Sequence, residues 1–208
     1  MAENIEYDVS IGIATGNTWA ITDGVDADDQ AFCEYTSGNQ FFFGDYVTNS
    51  IGVFDDVGAF VKFIPGPAAW PVKIMGMGAG HDMLYCSGNS GTEIAWGSYT
   101  GTEASVTWTT AAWASVYGMA VYGDNLFMCC SLTGEDNIFI FYINADGSVN
   151  MTPVWSCEFI EDTTNGGIDW DGQYLWVYSQ NEDLYKLDID WSPGALDETT
   201  WGEIKTSF

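Results

Sequence analysis

Arginine does not occur in this 208-residue sequence, and lysine occurs only four times, at Lys62, Lys73, Lys186 and Lys205. Set against 30 Asp and Glu, these leave a formal net charge of −26. Affinity for a phosphate backbone comes from Lys and Arg displacing counterions, so nucleic acid is excluded as a partner, and an anionic membrane surface is disfavoured on the same ground. Histidine is present once, at His81 in an expected turn beside Asp82. With no second histidine and no cysteine cluster, a transition-metal site cannot be completed, and no Gly-x-Ser-x-Gly elbow accompanies the lone histidine to make a hydrolase triad. His81 therefore reads as a solvated turn residue. The five cysteines, Cys33, Cys86, Cys129, Cys130 and Cys157, are odd in number and lack paired spacing. They read as free, buried thiols, with Cys129 and Cys130 pointing to opposite faces of one strand. No apolar run approaches the length of a membrane-spanning helix, and Met1 to Tyr7 carries neither a basic region nor an apolar one, so no conventional secretory signal is expected.

What is present is a folded composition: 47% hydrophobic residues, 16% aromatic, and 24 glycines. A disordered acidic chain lacks the aromatic and β-branched residues for a core, and this length suits one domain over residues 1–208. The negative charge solubilises the surface and makes the folded state repel itself, which salt or divalent cations relieve. It also suits adaptation to high salt, or a basic or cation-bridged partner.

A repeat of about forty residues organises the chain. Turn glycines recur at Gly38, Gly80, Gly123 and Gly172, at intervals of 42, 43 and 49 residues. A tryptophan closes each unit, at Trp70, Trp113, Trp155 and Trp201, lying 32, 33, 32 and 29 residues beyond its glycine. Two landmarks in one register define units at about 30–70, 71–113, 114–155 and 156–201.

Alternation, aromatic and β-branched enrichment, and Gly/Asn/Asp punctuation predict four short strands in each unit. The expected strands are 31–36, 41–47, 50–54 and 59–64; then 72–77, 83–87, 93–99 and 104–108; then 116–121, 126–131, 137–143 and 149–155. The last unit gives 167–170, 174–179, 184–189 and a final segment reaching Trp201. Six residues past each turn glycine stand Gly44, Cys86, Cys129 and Tyr178, mostly small, as expected where sheets converge. No stretch keeps a helical period.

This pattern resembles the β-propeller superfamily, whose blades are four-stranded antiparallel sheets around a channel. The Trp-Asp dipeptide pattern of WD repeats is missing. The resemblance implies an all-β, five-bladed propeller whose fifth blade is built from both chain ends, residues 1–29 and 202–208, with 203–208 pairing with strands 7–14 and 18–22. Closure of this kind removes open sheet edges. Four blades with an N-terminal arm is the alternative.

Sialidase-like propellers grip a carboxylate with arginines, which this chain lacks, and their Ser-x-Asp-x-Gly-x-x-Trp box is matched only loosely at Asn144-Ala145-Asp146-Gly147-Ser148. Five-bladed glycosidases use a carboxylate pair, but nothing marks one pair among thirty carboxylates. The acidic loops at 23–29, Glu135-Asp136 and 188–190 do not match the twelve-residue calcium loop, so no cofactor is expected beyond weak Ca2+ binding. The glycines at 80, 88, 91 and 101 precede no helix and cradle no phosphate. The recurring tryptophans read first as packing between neighbouring blades, each indole N–H finding a loop carbonyl, and second as sugar-stacking platforms.

The expectation is a non-enzymatic structural or interaction propeller in a larger assembly, with a virion surface or tail component as one setting, an extracellular assembly as another, and protein partners or self-assembly as its mode. A glycan-binding, lectin-like propeller is the alternative, and a glycoside hydrolase the second. In propellers the connections between second and third strands share one face with the connections between blades. The polar residues expected to bind there are Asn89, Asp136, Asn181 and Glu182.

Overall fold

The computed structural model describes residues 2–8, 13–21, 30–35, 40–45, 48–68, 70, 74–88, 92–132, 134–159, 166–179 and 183–192, with side chains from Gln40 onward. Every described element is a strand. β1 (Ala2–Asp8) and β2 (Ile13–Ile21) form a two-stranded sheet. β3 (Gln30–Tyr35), β4 (Gln40–Asp45), β5 (Ser50–Asp55) and β6 (Phe60–Pro65) form the first four-stranded sheet. The next comprises β7 (Ile74–Gly80), β8 (Met83–Gly88), β9 (Glu93–Ser98) and β10 (Thr109–Ala112). It is followed by β11 (Val116–Tyr122), β12 (Asn125–Cys130), β13 (Ile138–Ile143) and β14 (Val149–Cys157). β15 (Gly167–Trp170), β16 (Leu175–Tyr178) and β17 (Leu184–Leu187) make a three-stranded sheet. Strands in each sheet are antiparallel neighbours in chain order. The expected segment reaching Trp201, and residues 202–208, lie outside the described residues.

Successive sheets stack through their first strands, β3 beside β7, β7 beside β11, and β11 beside β15. Glycine makes this approach possible. A Cβ on Gly76 of β7 would lie 2.8 Å from the Tyr117 carbonyl oxygen, and one on Gly118 of β11 would lie 2.6 Å from the Gly166 carbonyl oxygen. Backbone replaces side chain where the strands converge.

Three apolar clusters fill the spaces between sheets. Phe42, Ile51 and Ile64 pack with Ile74, Met77 and Leu84; Tyr85, Ile94 and Trp96 pack with Met119, Leu126 and Phe141; Phe127, Ile138 and Ile140 pack with Ile168, Leu175 and Val177. A central sheet thus buries both faces, which is why β12 reads as an unbroken apolar run and is buried at all six positions. Cys129 faces one cluster and Cys130 the other.

Three local expectations are corrected. The fourth strand of the second unit is Thr109–Ala112, paired with Glu93–Trp96, and not 104–108. Val106 and Trp108 have strand-like chemistry but pack from a loop: Trp108 donates its indole N–H to the Pro65 carbonyl oxygen of the preceding sheet at 3.1 Å, and Val106 packs over β9 where a Cβ on Gly97 would go. Residues 7–14 are not one strand, because Tyr7 pairs with Ala14 across the β1–β2 hairpin. Gly16-Asn17 lies within β2, where the register shifts between Ile5 and Tyr7. Gly80 ends β7 opposite Met83, and the turn itself is His81-Asp82, both left-handed at φ 55° and 54°.

Candidate functional site

The connection from β10 to β11 turns at Ser115, whose φ is 58°, and brings Trp113 over the β12–β13 loop. The Trp113 backbone N–H donates to the Thr92 carbonyl oxygen at 3.1 Å, and the ring meets Phe139 and Phe141 edge-on at centroid distances of 5.3 and 4.9 Å. Its indole hydrogen bonds with the Cys130 sulfur. The largest influence on that thiol is nevertheless burial, which pushes it up to about 12. Trp113 is therefore held on every side except that facing solvent.

Beside it, the loop before β13 is fastened at Asn137, a residue only 3% exposed. The Asn137 amide donates from Nδ2 to the Phe159 carbonyl oxygen and accepts at Oδ1 from the Phe159 N–H, both at 2.7 Å. Its backbone N–H donates to the Cys157 carbonyl oxygen at 2.9 Å, and its carbonyl accepts from the Cys130 N–H at 2.7 Å. The adjacent Asp136 carboxylate accepts the Ser156 hydroxyl. Such satisfaction fixes the loop that carries Glu135 and Asp136.

Between these two features lies an open groove of about 690 Å3, lined by Thr92, Ala112, Trp113, Ala114, Leu132, Glu135, Asp136 and Phe139. It sits where second-to-third-strand connections and sheet-to-sheet connections meet. Asp136 is on its rim. Asn89, Asn181 and Glu182 lie outside the described residues. Trp113 carries the sugar-stacking reading of the repeat tryptophans and Glu135 the weak Ca2+ reading of the acidic loops, whereas nothing in the sequence marks Leu132 and Phe139 as ligand-facing.

His81 occupies a different end of the sheets, in the β7–β8 turn. Its Nε2 is 2.8 Å from the Gly123 carbonyl oxygen and 3.1 Å from Asp124 Oδ1, which ties it to the β11–β12 turn of the next sheet. It is not merely solvated. Among the described residues no group of three His, Cys, Asp or Glu is placed to hold a metal ion. Loop 23–29 is outside the described residues. Asp146 caps its own turn by accepting from the Ser148 hydroxyl and N–H, which holds its carboxyl below the usual range, and Asp190 accepts the Trp155 indole at 2.9 Å.

The described repeat tryptophans each reach into the following sheet. Trp70 donates to Glu93 Oε2 at 2.5 Å, Trp113 engages Cys130, Phe139 and Phe141, and Trp155 donates to Asp190. The acceptors are carboxylates and a thiol instead of loop carbonyls. Trp201 lies outside the described residues.

No family model matches the chain, and neither does any curated protein. Solved structures do. The nidogen/laminin complex contains a chain similar over 92% of this one and 76% of its own length, at 11% identity and a TM-score of 0.58. A catalytically inactive virginiamycin B lyase from Staphylococcus aureus with quinupristin is similar over 90% of this chain at 17% identity, with a TM-score of 0.53. The selenomethionine form of that lyase gives 86%, 15% and 0.51. The chain spans 58% and 57% of the two lyase chains. Sequential antiparallel sheets stacked through their first strands, together with these likenesses, show that the chain has the β-propeller fold.

Proposed function

We propose that the chain is a non-enzymatic propeller that recognises a protein partner within a larger assembly. The observation carrying this reading is the groove at Trp113: an aromatic floor locked by Phe139 and Phe141, beside a carboxylate-bearing loop fastened through Asn137, on the face where propeller connections gather. A rigid aromatic anchor with a polar rim is the usual composition of a protein-binding surface, because little entropy is lost when it is covered. One similar fold occurs in a nidogen/laminin complex, an assembly of proteins; two others are lyases, and at 15% and 17% identity they transfer no catalytic residue.

We also propose five blades, with β1 and β2 contributing to the fifth. The outer face of β15–β17 supports this, since Tyr178 and Leu184 remain 43% and 61% exposed there, where the corresponding faces of earlier sheets are covered by a neighbour.

The test of function is chemical cross-linking of the chain in material from its source, followed by mapping of cross-linked sites and size analysis of the native particle. The expected result is a larger particle with cross-links flanking residues 112–114 and 132–136. A stable monomer with no cross-linked partner overturns the reading, and turnover of a polysaccharide would replace it with the hydrolase.

A further inference from the structure

The composition of the groove says what kind of partner segment it takes. Its floor is Trp113, Phe139 and the exposed methyl of Ala112, and its rim is Glu135 and Asp136. Among the described residues no cation neutralises either carboxylate, because the one ion pair there is His81 with Asp124 on another turn. The two described lysines are committed elsewhere. Lys62 donates to the carbonyl oxygens of Gly101 and Glu103, and Lys186 lies 3.6 Å from the centre of the Tyr174 ring. The negative field around the rim is felt by its neighbours: after burial, the charges of Asp136 and Asp190 are what raise the Cys157 thiol, to about 11.

We infer that the groove receives a short partner segment in which a Lys or Arg stands next to an apolar side chain, the apolar group covering Trp113 and the cation meeting Glu135 and Asp136. This rests on the interaction reading above and adds the chemistry of the partner. Charge complementarity selects the occupant. An acidic segment meets two carboxylates that no described cation neutralises, on a chain of net charge −26, and like charges at an interface oppose docking. A purely polar cationic segment is drawn to the whole surface without preference and leaves the floor wet. Only a segment with both features uses floor and rim together, and the aromatic face of Trp113 favours a cation nearby. The groove volume of about 690 Å3 is that of a site for a few side chains.

The experiment titrates acetylated tetrapeptide amides, Leu-Lys-Leu-Lys, Ser-Lys-Ser-Lys and Leu-Glu-Leu-Glu, into the full chain and follows amide and indole NMR shifts at low and moderate salt. The Leu-Lys peptide is expected to shift signals from residues 112–114 and 135–139, to bind at least about tenfold more tightly than the Ser-Lys peptide, and to weaken with salt. In the double variant Glu135→Gln with Asp136→Asn its affinity falls about tenfold or more, whereas Asp56→Asn with Asp82→Asn, an equal change of net charge on distant turns, leaves it unchanged. Should the rim variant unfold, Ala112→Arg at an exposed position serves instead, since its own cation occupies the rim and blocks binding. Equal weakening by both double variants, equal affinity for the Ser-Lys peptide, preference for the Leu-Glu peptide, or no binding of any peptide overturns the inference. A cross-linked partner that persists with all these variants leaves the interaction reading standing and overturns only this one.

Discussion

Cys86, Cys129, Cys130 and Cys157 are the thiols whose surroundings are described, and none of them is in a disulfide. Burial pushes each of them up: Cys129 and Cys130 to about 12, Cys157 to about 11 with Asp136 and Asp190 adding to it, and Cys86 well above the usual range. A thiol raised in the folded state contributes stability in full below its unfolded value of about 8.5 and loses it as pH climbs through the folded value. Two outcomes follow. At about pH 8, iodoacetamide read by peptide mass spectrometry should label Cys157 slowly and leave Cys86, Cys129 and Cys130 unmodified until urea is added. The urea midpoint should fall as pH is raised from about 9 towards 11. Rapid native labelling of Cys129 would contradict its burial. Cys86 and Cys129 were legible in the sequence because their positions, six residues past a turn glycine, are fixed by the repeat. The tryptophan acceptors were not. Glu93 stands in the sheet that follows Trp70 and Asp190 just past the last strand of the sheet that follows Trp155, and periodicity along one chain says nothing about which groups lateral stacking brings together.

The first strands are the elements on which the stack depends, and their glycines separate two kinds of position. Alanine at Gly76 would place its methyl 2.8 Å from the Tyr117 carbonyl oxygen and 3.1 Å from the Gly118 carbonyl carbon, both backbone atoms that cannot step aside. At Gly167 the nearest atom is Tyr178 Cβ at 3.9 Å, an ordinary contact. Gly76→Ala should therefore lower stability by about 1–3 kcal/mol in urea unfolding, while Gly167→Ala stays within about 0.5 kcal/mol of the parent or gains slightly. Equal effects at the two sites would refute direct strand-on-strand packing as the reason for Gly76. The strand pattern of β3 to β9 and β11 to β17 was largely readable, because alternation and turn residues agree there. β10 and the β1–β2 hairpin were misread where that agreement fails. Val106 and Trp108 have strand propensity but pack from a loop, Val106 over Gly97 of its own sheet and Trp108 against Pro65 of the preceding one, and Gly16-Asn17 lies at a register shift within β2.

At the scale of the molecule, 30 acidic residues against four lysines leave apolar contact between sheets to hold the fold. The groove at Trp113 was half legible: its face and Asp136 follow from the connection rule, but its floor required the inter-sheet geometry. Closure of the ring is tested by removing residues 202–208. If these residues complete the fifth blade, the truncated chain should show a lower urea midpoint and faster amide exchange in both β1–β2 and β15–β17, with β11–β14 retaining its protection. An unchanged midpoint would leave the five-bladed ring without its seam.

Four ties between sheets run from a side chain in one repeat to a group that follows it in the next. Trp70 waits for Glu93, His81 for Gly123, Tyr85 for the Gly147 carbonyl oxygen, and Trp155 for Asp190. During synthesis, a sheet that has left the ribosome is complete in its own hydrogen bonds but lacks its lateral partner until roughly one more repeat has emerged. Each newly exposed apolar face is then covered by the next segment to appear and not by a distant one. Translation itself supplies the order of assembly, and a pause between repeats leaves one bare face at a time.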